Sequence, residues 1–186
     1  MRVIAGLYKG TKLISPRGEV RPTTDLVKGS LFSVLQAKGI LKEGVRCLDV
    51  FCGSGSLGIE ALSRGAKDCV FVDMNTDNAA ANLDKLRLKM RLVRGDFRKS
   101  LRLLKNERFD IVFCDPPYKS GFGEQALKLL VKYGMLGENG VAVIERAIEN
   151  SLLKVDKTCI IDSRSFGASA FDIVRGDNEG DICGSV

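Results

Sequence analysis

Arg46-Cys47-Leu48-Asp49-Val50-Phe51-Cys52-Gly53-Ser54-Gly55-Ser56-Leu57-Gly58 is the stretch that decides how this chain folds. A short apolar run with the length of a buried strand breaks into glycines spaced G-x-G-x-x-G, and an apolar, helix-prone segment follows to about Arg64. The next strand-like run, Cys69-Val70-Phe71-Val72-Asp73, ends in an acid about 20 residues beyond the first glycine. Strand, glycine turn, helix, strand and terminal acid form the context of a nucleotide-binding fingerprint. The glycines let the backbone approach a ligand, and Asp73 can accept hydrogen bonds from both ribose hydroxyls. The pattern alone does not say which nucleoside.

Working outward, the same alternation continues. A helix is expected over roughly 76–88, a strand at Met90-Arg91-Leu92-Val93, a helix from Gly95-Asp96-Phe97 to about 105, and a strand ending at Asp115. A helix over about 124–133 and a strand at Gly140–Glu145 follow. Such repetition implies a parallel sheet with helices on both faces. Thr158–Asp162 and Ala170–Val174 read as two further strands with no helix between them, hence antiparallel to each other. Upstream, Arg2–Gly6 and Thr11–Ile14 flank the turn Leu7-Tyr8-Lys9-Gly10 as a hairpin, and a helix runs from about 23 to 37 with Thr23 or Thr24 as its cap. The expected architecture is α/β: a Rossmann-like, mostly parallel seven-stranded sheet with helices on both faces and a small N-terminal β-hairpin. The expected divisions are 1–20 for the hairpin, 21–175 for the sheet domain and 176–186 for a disordered, glycine-rich acidic tail.

At 186 residues, 45% apolar and 28% charged, the chain suits one ordinary globular domain. No run approaches a membrane span and Met1–Gly6 lacks a signal peptide's apolar core, so a cytoplasmic protein is expected. A net charge of +6 and a pI near 9.1 lean towards a polyanionic partner. Arg2, Lys9, Lys12, Arg17 and Arg21 make the N-terminal lobe basic. The crowded cations from Lys85 to Lys105 read instead as a solvated helix face. The six cysteines form no C-x-x-C pair and are expected reduced, with neither zinc nor disulfides. There is no histidine, which removes the commonest metal ligand and the commonest general base.

Asp115-Pro116-Pro117-Tyr118 carries the chemistry. Two prolines cannot extend a ladder, so a carboxylate, the Pro116 carbonyl and an aromatic face gather at the carboxyl end of a strand, where open α/β sheets bind ligands. An amine placed there meets two acceptors and a stacking surface. A hydride-transfer enzyme would want a proton donor of the histidine kind. A site for S-adenosylmethionine wants a polar group near the adenine amine, which Asp96 supplies, and an acceptor for a nucleophile, which Asp115 supplies.

With Asp49–Leu62 (DVFCGSGSLGIEAL), Arg21–Leu31 (RPTTDLVKGSL) and Asp115–Tyr118 (DPPY), the chain resembles the bacterial RsmD-type 16S rRNA guanine-N2 methyltransferases, from Arg2 to Arg175. The resemblance implies a class I methyltransferase fold and methyl transfer from S-adenosylmethionine to the guanine at position 966 of 16S rRNA, in an assembling small subunit, by a monomer without metal. It implies catalytic roles for Asp115, Pro116, Pro117 and Tyr118, and cofactor contacts from Asp49, Cys52, Gly53, Gly55, Gly58, Asp73, Met74, Asp96 and Phe97. RNA contacts would come from Arg2, Lys9, Lys12, Arg17, Arg21, Thr23 and Thr24. The chain departs from the family pattern at Gly29, where a glutamate is usual, and at Ala168-Ser169. The alternatives left open are methylation of adenine N6 or of a protein glutamine amide, a non-catalytic RNA-binding assembly factor and, last, a dehydrogenase.

Overall fold

The computed structural model describes residues 1–15, 25–117, 121–150 and 155–176. Its elements, in chain order, are α1 (Asp25–Ala37), β1 (Arg46–Val50), α2 (Ser56–Ser63), β2 (Asp68–Asp73), α3 (Asp77–Lys85), β3 (Leu92–Arg94), α4 (Phe97–Leu103), β4 (Phe109–Cys114), α5 (Phe122–Lys132), β5 (Leu136–Ala147), β6 (Thr158–Phe166) and β7 (Ser169–Gly176). The seven strands form one sheet in the order β3-β2-β1-β4-β5-β7-β6. The first five are parallel, and β7 runs antiparallel to both β5 and β6. This is the Rossmann-like class I methyltransferase architecture expected from the alternating pattern.

Because side chains alternate across a strand, the sheet divides the core in two. Cys47, Phe71, Ile111, Phe113 and Val143 face one way and pack with Leu31, Phe32 and Leu35 of α1, Ile59 of α2 and Leu83 of α3. Leu48, Val50, Val112, Ala142 and Ile144 face the other way, against Phe97 and Leu101 of α4 and Leu127 and Leu130 of α5.

Three features differ from expectation. α3 ends at Lys85 rather than near 88, and β3 begins at Leu92 rather than Met90. Between them Leu86, Leu88 and Met90 pack inward at every second residue, a spacing no helix can satisfy. β5 extends back to Leu136 rather than beginning at Gly140. A Cβ on Gly140 would lie 2.7 Å from the Phe109 carbonyl oxygen, so glycine there permits close strand passage beside the register shift in β4. The cysteine expectation also needs correction. Cys47, Cys52, Cys69 and Cys114 are free and buried, and burial pushes their thiols up and leaves them inert. Cys159, however, is disulfide-bonded. It lies half-buried on β6, the outermost strand of the sheet. Of the expected tail, 176–186, Gly176 instead closes β7, and 177–186 lie outside the described residues.

The first fifteen residues make a single antiparallel bridge, Arg2 with Lys12, with Val3 and Thr11 joined by a 3.0 Å hydrogen bond. Val3 and Leu13 are buried in the core cluster of α1–α3. Glu60 of α2, fully buried, accepts the backbone N–H groups of Ile4 (2.8 Å) and Ala5 (3.1 Å). Arg64 pairs with the same carboxylate at 2.7 Å, and the buried Lys28 ammonium lies 3.6 Å from it while donating to the Arg2 carbonyl. Gly6 presses so close to α2 that a Cβ would fall 1.7 Å from the Ser63 carbonyl oxygen. Gly29, where the family glutamate would stand, faces Ile4, whose Cγ2 lies 3.5 Å from an ideal Cβ.

Candidate active site

Parallel pairing puts the carboxyl ends of β3, β2, β1, β4 and β5 along one edge. Val50 pairs with Val72 on one side and Cys114 on the other, so Phe51 stands between Asp73 and Asp115. At about 4.8 Å per strand, the two acids lie about 10 Å apart across the point where the chain order reverses. Asp96 follows β3, one strand beyond Asp73.

The loop after β1 is built from those contacts. The Gly53 N–H donates to Asp73 Oδ2 at 2.9 Å, which ties the turn to the tip of β2. A Cβ on Gly53 would meet nothing within 4 Å, so that side of the turn is an open cradle. Gly58 serves packing, because a Cβ there would fall 2.4 Å from the Phe71 ring. Its N–H donates to Asp49 Oδ2 at 2.9 Å. Asp49 is buried, and desolvation raises its pKa to about 7, against the pull of the Gly58 N–H and with a smaller push from Asp73. Cys52 is buried beside it.

On the outer side of the edge, Met74 is exposed after Asp73. Asp96 caps α4, accepting the Arg98 N–H at 2.9 Å and pairing with the Arg98 guanidinium at 3.0 Å. Phe97 is buried, its ring centroid 4.8 Å from that of Phe51 and 5.3 Å from that of Phe122. Phe51 holds φ +65°, a left-handed backbone that costs a bulky residue strain and that concentrates at functional sites. Asp115 and Pro116 follow β4 half-buried, and Pro117 is exposed. The Pro116 ring packs 3.5 Å from the Cβ position of Gly123 at the start of α5.

Thus Asp49, Cys52, Gly53, Gly55, Gly58, Asp73, Met74, Asp96, Phe97, Asp115, Pro116 and Pro117 share one edge. Arg2, Lys9 and Lys12 lie on the N-terminal segment flanking α1–α3, and Arg2 pairs with Asp25 at 3.1 Å. Tyr118, Arg17, Arg21, Thr23 and Thr24 lie outside the described residues. Among those described, no cluster of acids and cysteines could hold a metal ion, and no helix is long and apolar enough to cross a membrane.

A model of the family described as conserved hypothetical protein 95 matches residues 1–175. The chain belongs to that family. It is 41% identical over 160 residues to "Putative rRNA methyltransferase YlbH" of Bacillus subtilis, covering 82% of this chain and 85% of that one. It is 34% identical over 183 residues to ribosomal RNA small subunit methyltransferase D of Haemophilus influenzae, covering 94% and 93%. The solved structure "Putative methyltransferase yhhF from Escherichia coli" superposes with a TM-score of 0.82 at 33% identity, covering 95% and 98%. As a member of conserved hypothetical protein 95, the chain also shows residues that its motifs did not reveal. Phe51 and Phe122 line the edge; the signal for Phe51 was a bulky residue directly before the glycine turn. Asn82 is fully buried, donating to the carbonyls of Ser54 (2.9 Å) and Ile14 (3.0 Å) and accepting the Ile14 N–H (2.8 Å). It ties the cofactor-side loop to the N-terminal segment, and only its place on an otherwise apolar helix face hinted at this.

Proposed function

We propose that this protein transfers a methyl group from S-adenosylmethionine to the exocyclic N2 of a guanine in 16S rRNA, as a cytoplasmic monomer acting on assembling small subunits. The observation that carries the reading is the alignment of Asp96, Asp73 and Asp115 along one edge of the sheet, at the tips of β3, β2 and β4, on either side of the Gly53–Gly58 turn that follows β1. The names of its relatives support rRNA methylation.

The residues fit the cofactor, whose sulfonium carries an electrophilic methyl. The open cradle at Gly53 admits close backbone approach, Asp73 keeps lone pairs for the ribose hydroxyls, and Asp96 stands where an adenine amine would need an acceptor. Met74 and Phe97 supply apolar surface on that side.

Guanine N2 is a poor nucleophile because its lone pair is delocalised into the ring. Asp115 and the Pro116 carbonyl accept hydrogen bonds from the two amine N–H groups, which favours a more tetrahedral nitrogen and aims its lone pair at the methyl carbon; as the N–C bond formed, the C–S bond would break, S-adenosylhomocysteine would leave and the nitrogen would shed one proton. Tyr118 stacks on the extruded base, worth roughly 1–3 kcal/mol. Holding the reactants in line supplies much of the acceleration. Arg2, Lys9, Lys12, Arg17, Arg21, Thr23 and Thr24, on residues 1–20 and the segment entering α1, contact the RNA, while residues 21–175 hold the chemistry.

The test is to incubate the protein with labelled methyl donor and small-subunit particles from a strain lacking its gene, then map the product. Label on a guanine N2 of 16S rRNA is expected. Label on adenine or protein, or none, overturns the assignment.

Asp49 adds a pH prediction. Its folded pKa, raised to about 7, means that a fraction is protonated at neutral pH. A cationic ligand at the adjoining turn favours the carboxylate, so binding expels that proton. Affinity for S-adenosylmethionine should therefore rise from pH 6 to pH 8, and Asp49→Asn should flatten the profile in titration calorimetry.

A further inference from the structure

Lys85-Leu86-Arg87-Leu88-Lys89-Met90-Arg91-Leu92 alternates cation and apolar residue without a break. As a helix face this would be ordinary solvated charge. In the structure it is instead the connection from α3 to β3: Leu86, Leu88, Met90 and Leu92 pack on the core, and Lys85, Arg87, Lys89 and Arg91 are all exposed. The anchored apolar residues hold the cations out in a row.

Their partners separate structural charges from the rest. Arg91 pairs with Glu107 at 2.7 Å, and the neighbouring Arg94 pairs with Asp77 at 2.9 Å. Lys85 donates to the Lys12 carbonyl at 2.8 Å, which joins the row to the basic N-terminal segment carrying Lys9 and Lys12, both exposed. Arg87 and Lys89 make no ion pair among the described residues, and Asp84 is the nearest acid in sequence. Arg87 also holds φ +56°, directly after the helix, where glycine or asparagine would relieve strain. A long cation kept at a strained position, facing water, does nothing visible for the fold.

We propose that Lys85, Arg87 and Lys89, continuous with Lys9 and Lys12, form a ridge that binds the phosphate backbone of the RNA away from the reacting base. This rests on the rRNA methyltransferase reading above. α3 spans nine residues, so the ridge lies about 13 Å from the helix end next to Asp73. It therefore touches nucleotides outside the extruded one and acts on RNA capture, not on the chemical step.

The experiment compares wild type, Arg87→Glu/Lys89→Glu and Arg87→Gly, using a protein-free 16S rRNA transcript as probe. The double reversal should weaken transcript binding at least about tenfold and reduce the slope of log affinity against log salt by roughly 1.4–1.8, as expected for two lost phosphate contacts. It should raise KM for the transcript, with kcat and S-adenosylmethionine affinity unchanged. Arg87→Gly should raise the thermal midpoint yet weaken RNA binding, a divergence that a structural arginine would not produce. If wild type methylates rRNA and the double reversal binds the transcript with unchanged affinity and salt slope, the ridge is overturned alone. If the double reversal loses binding only to protein-containing particles, the partner is a protein and the proposal fails. If wild type neither binds nor methylates rRNA, the functional reading falls and the ridge with it.

Discussion

Asp115→Ala will slow methyl transfer by at least about 10²–10³-fold, the scale seen when one preorganised polar contact to a reacting group is removed, while S-adenosylmethionine binding stays within a few-fold of wild type. The two effects separate because of where the side chain lies. The β4 ladder with β1 and β5 ends at Cys114, whose neighbours Ile111, Val112 and Phe113 are fully buried, so the strand is anchored before Asp115 is reached. The residues assigned to the cofactor stand on the loop after β1 and on the tips of β2 and β3, one to three strands away. On the proposed assignment, removing the carboxylate takes away one of the two acceptors that orient the amine and leaves the methyl donor's cradle as it was. Asp115→Asn should fall between, because its amide oxygen still accepts one proton while its NH2 opposes the amine. Single-turnover methylation of 16S rRNA with calorimetry of the donor measures both halves. Near-wild-type turnover in Asp115→Ala would remove this residue from the acceptor site.

What was legible in the sequence was what is encoded locally. The strand, glycine turn and helix from Arg46 to Ser63 declare themselves because periodicity, turn residues and length agree within one segment, and the acids at the strand ends follow from where each apolar run stops. Features set by distant partners were hidden. The extension of β5 back to Leu136 did not show because the Phe109 carbonyl that demands a missing Cβ at Gly140 belongs to another strand. The row from Lys85 to Arg91 looked helical because the core face that holds Leu86 and Leu88 is assembled from elements distant in sequence. Cys159 looked like any thiol because a lone cysteine on a strand carries no local sign of being paired. Glu60 sits between Ile59 and Ala61 as a helical glutamate would on any surface; nothing nearby announces that residues 4, 5, 28 and 64 converge on it.

That convergence makes Glu60→Ala the most destabilising single change expected outside the acceptor site. Glu60 and Lys28 are both fully excluded from water, and removing one member of a buried pair leaves the other charge uncompensated, at a cost of about 3–5 kcal/mol. The N–H groups of Ile4 and Ala5 lose their acceptor as well, so the N-terminal segment loosens from α2. A fall in thermal midpoint on the order of 10 °C follows for a chain of this size. Glu60→Gln should recover the N–H contacts but not the charge, and should lie between. Pairing Glu60→Leu with Lys28→Met removes both charges and should recover much of the loss. Burial already depresses the Lys28 pKa from 10.5, with Glu60 opposing that shift. Without Glu60 it falls further, so between the folded pKa and 10.5 the unfolded state binds more protons and stability rises with pH. The gap between wild type and Glu60→Ala in denaturant titrations should therefore narrow from pH 7 towards pH 10. A gap that stays constant would mean that Lys28 is not the charge left stranded, and that the hydrogen bonds to Ile4 and Ala5 carry the effect.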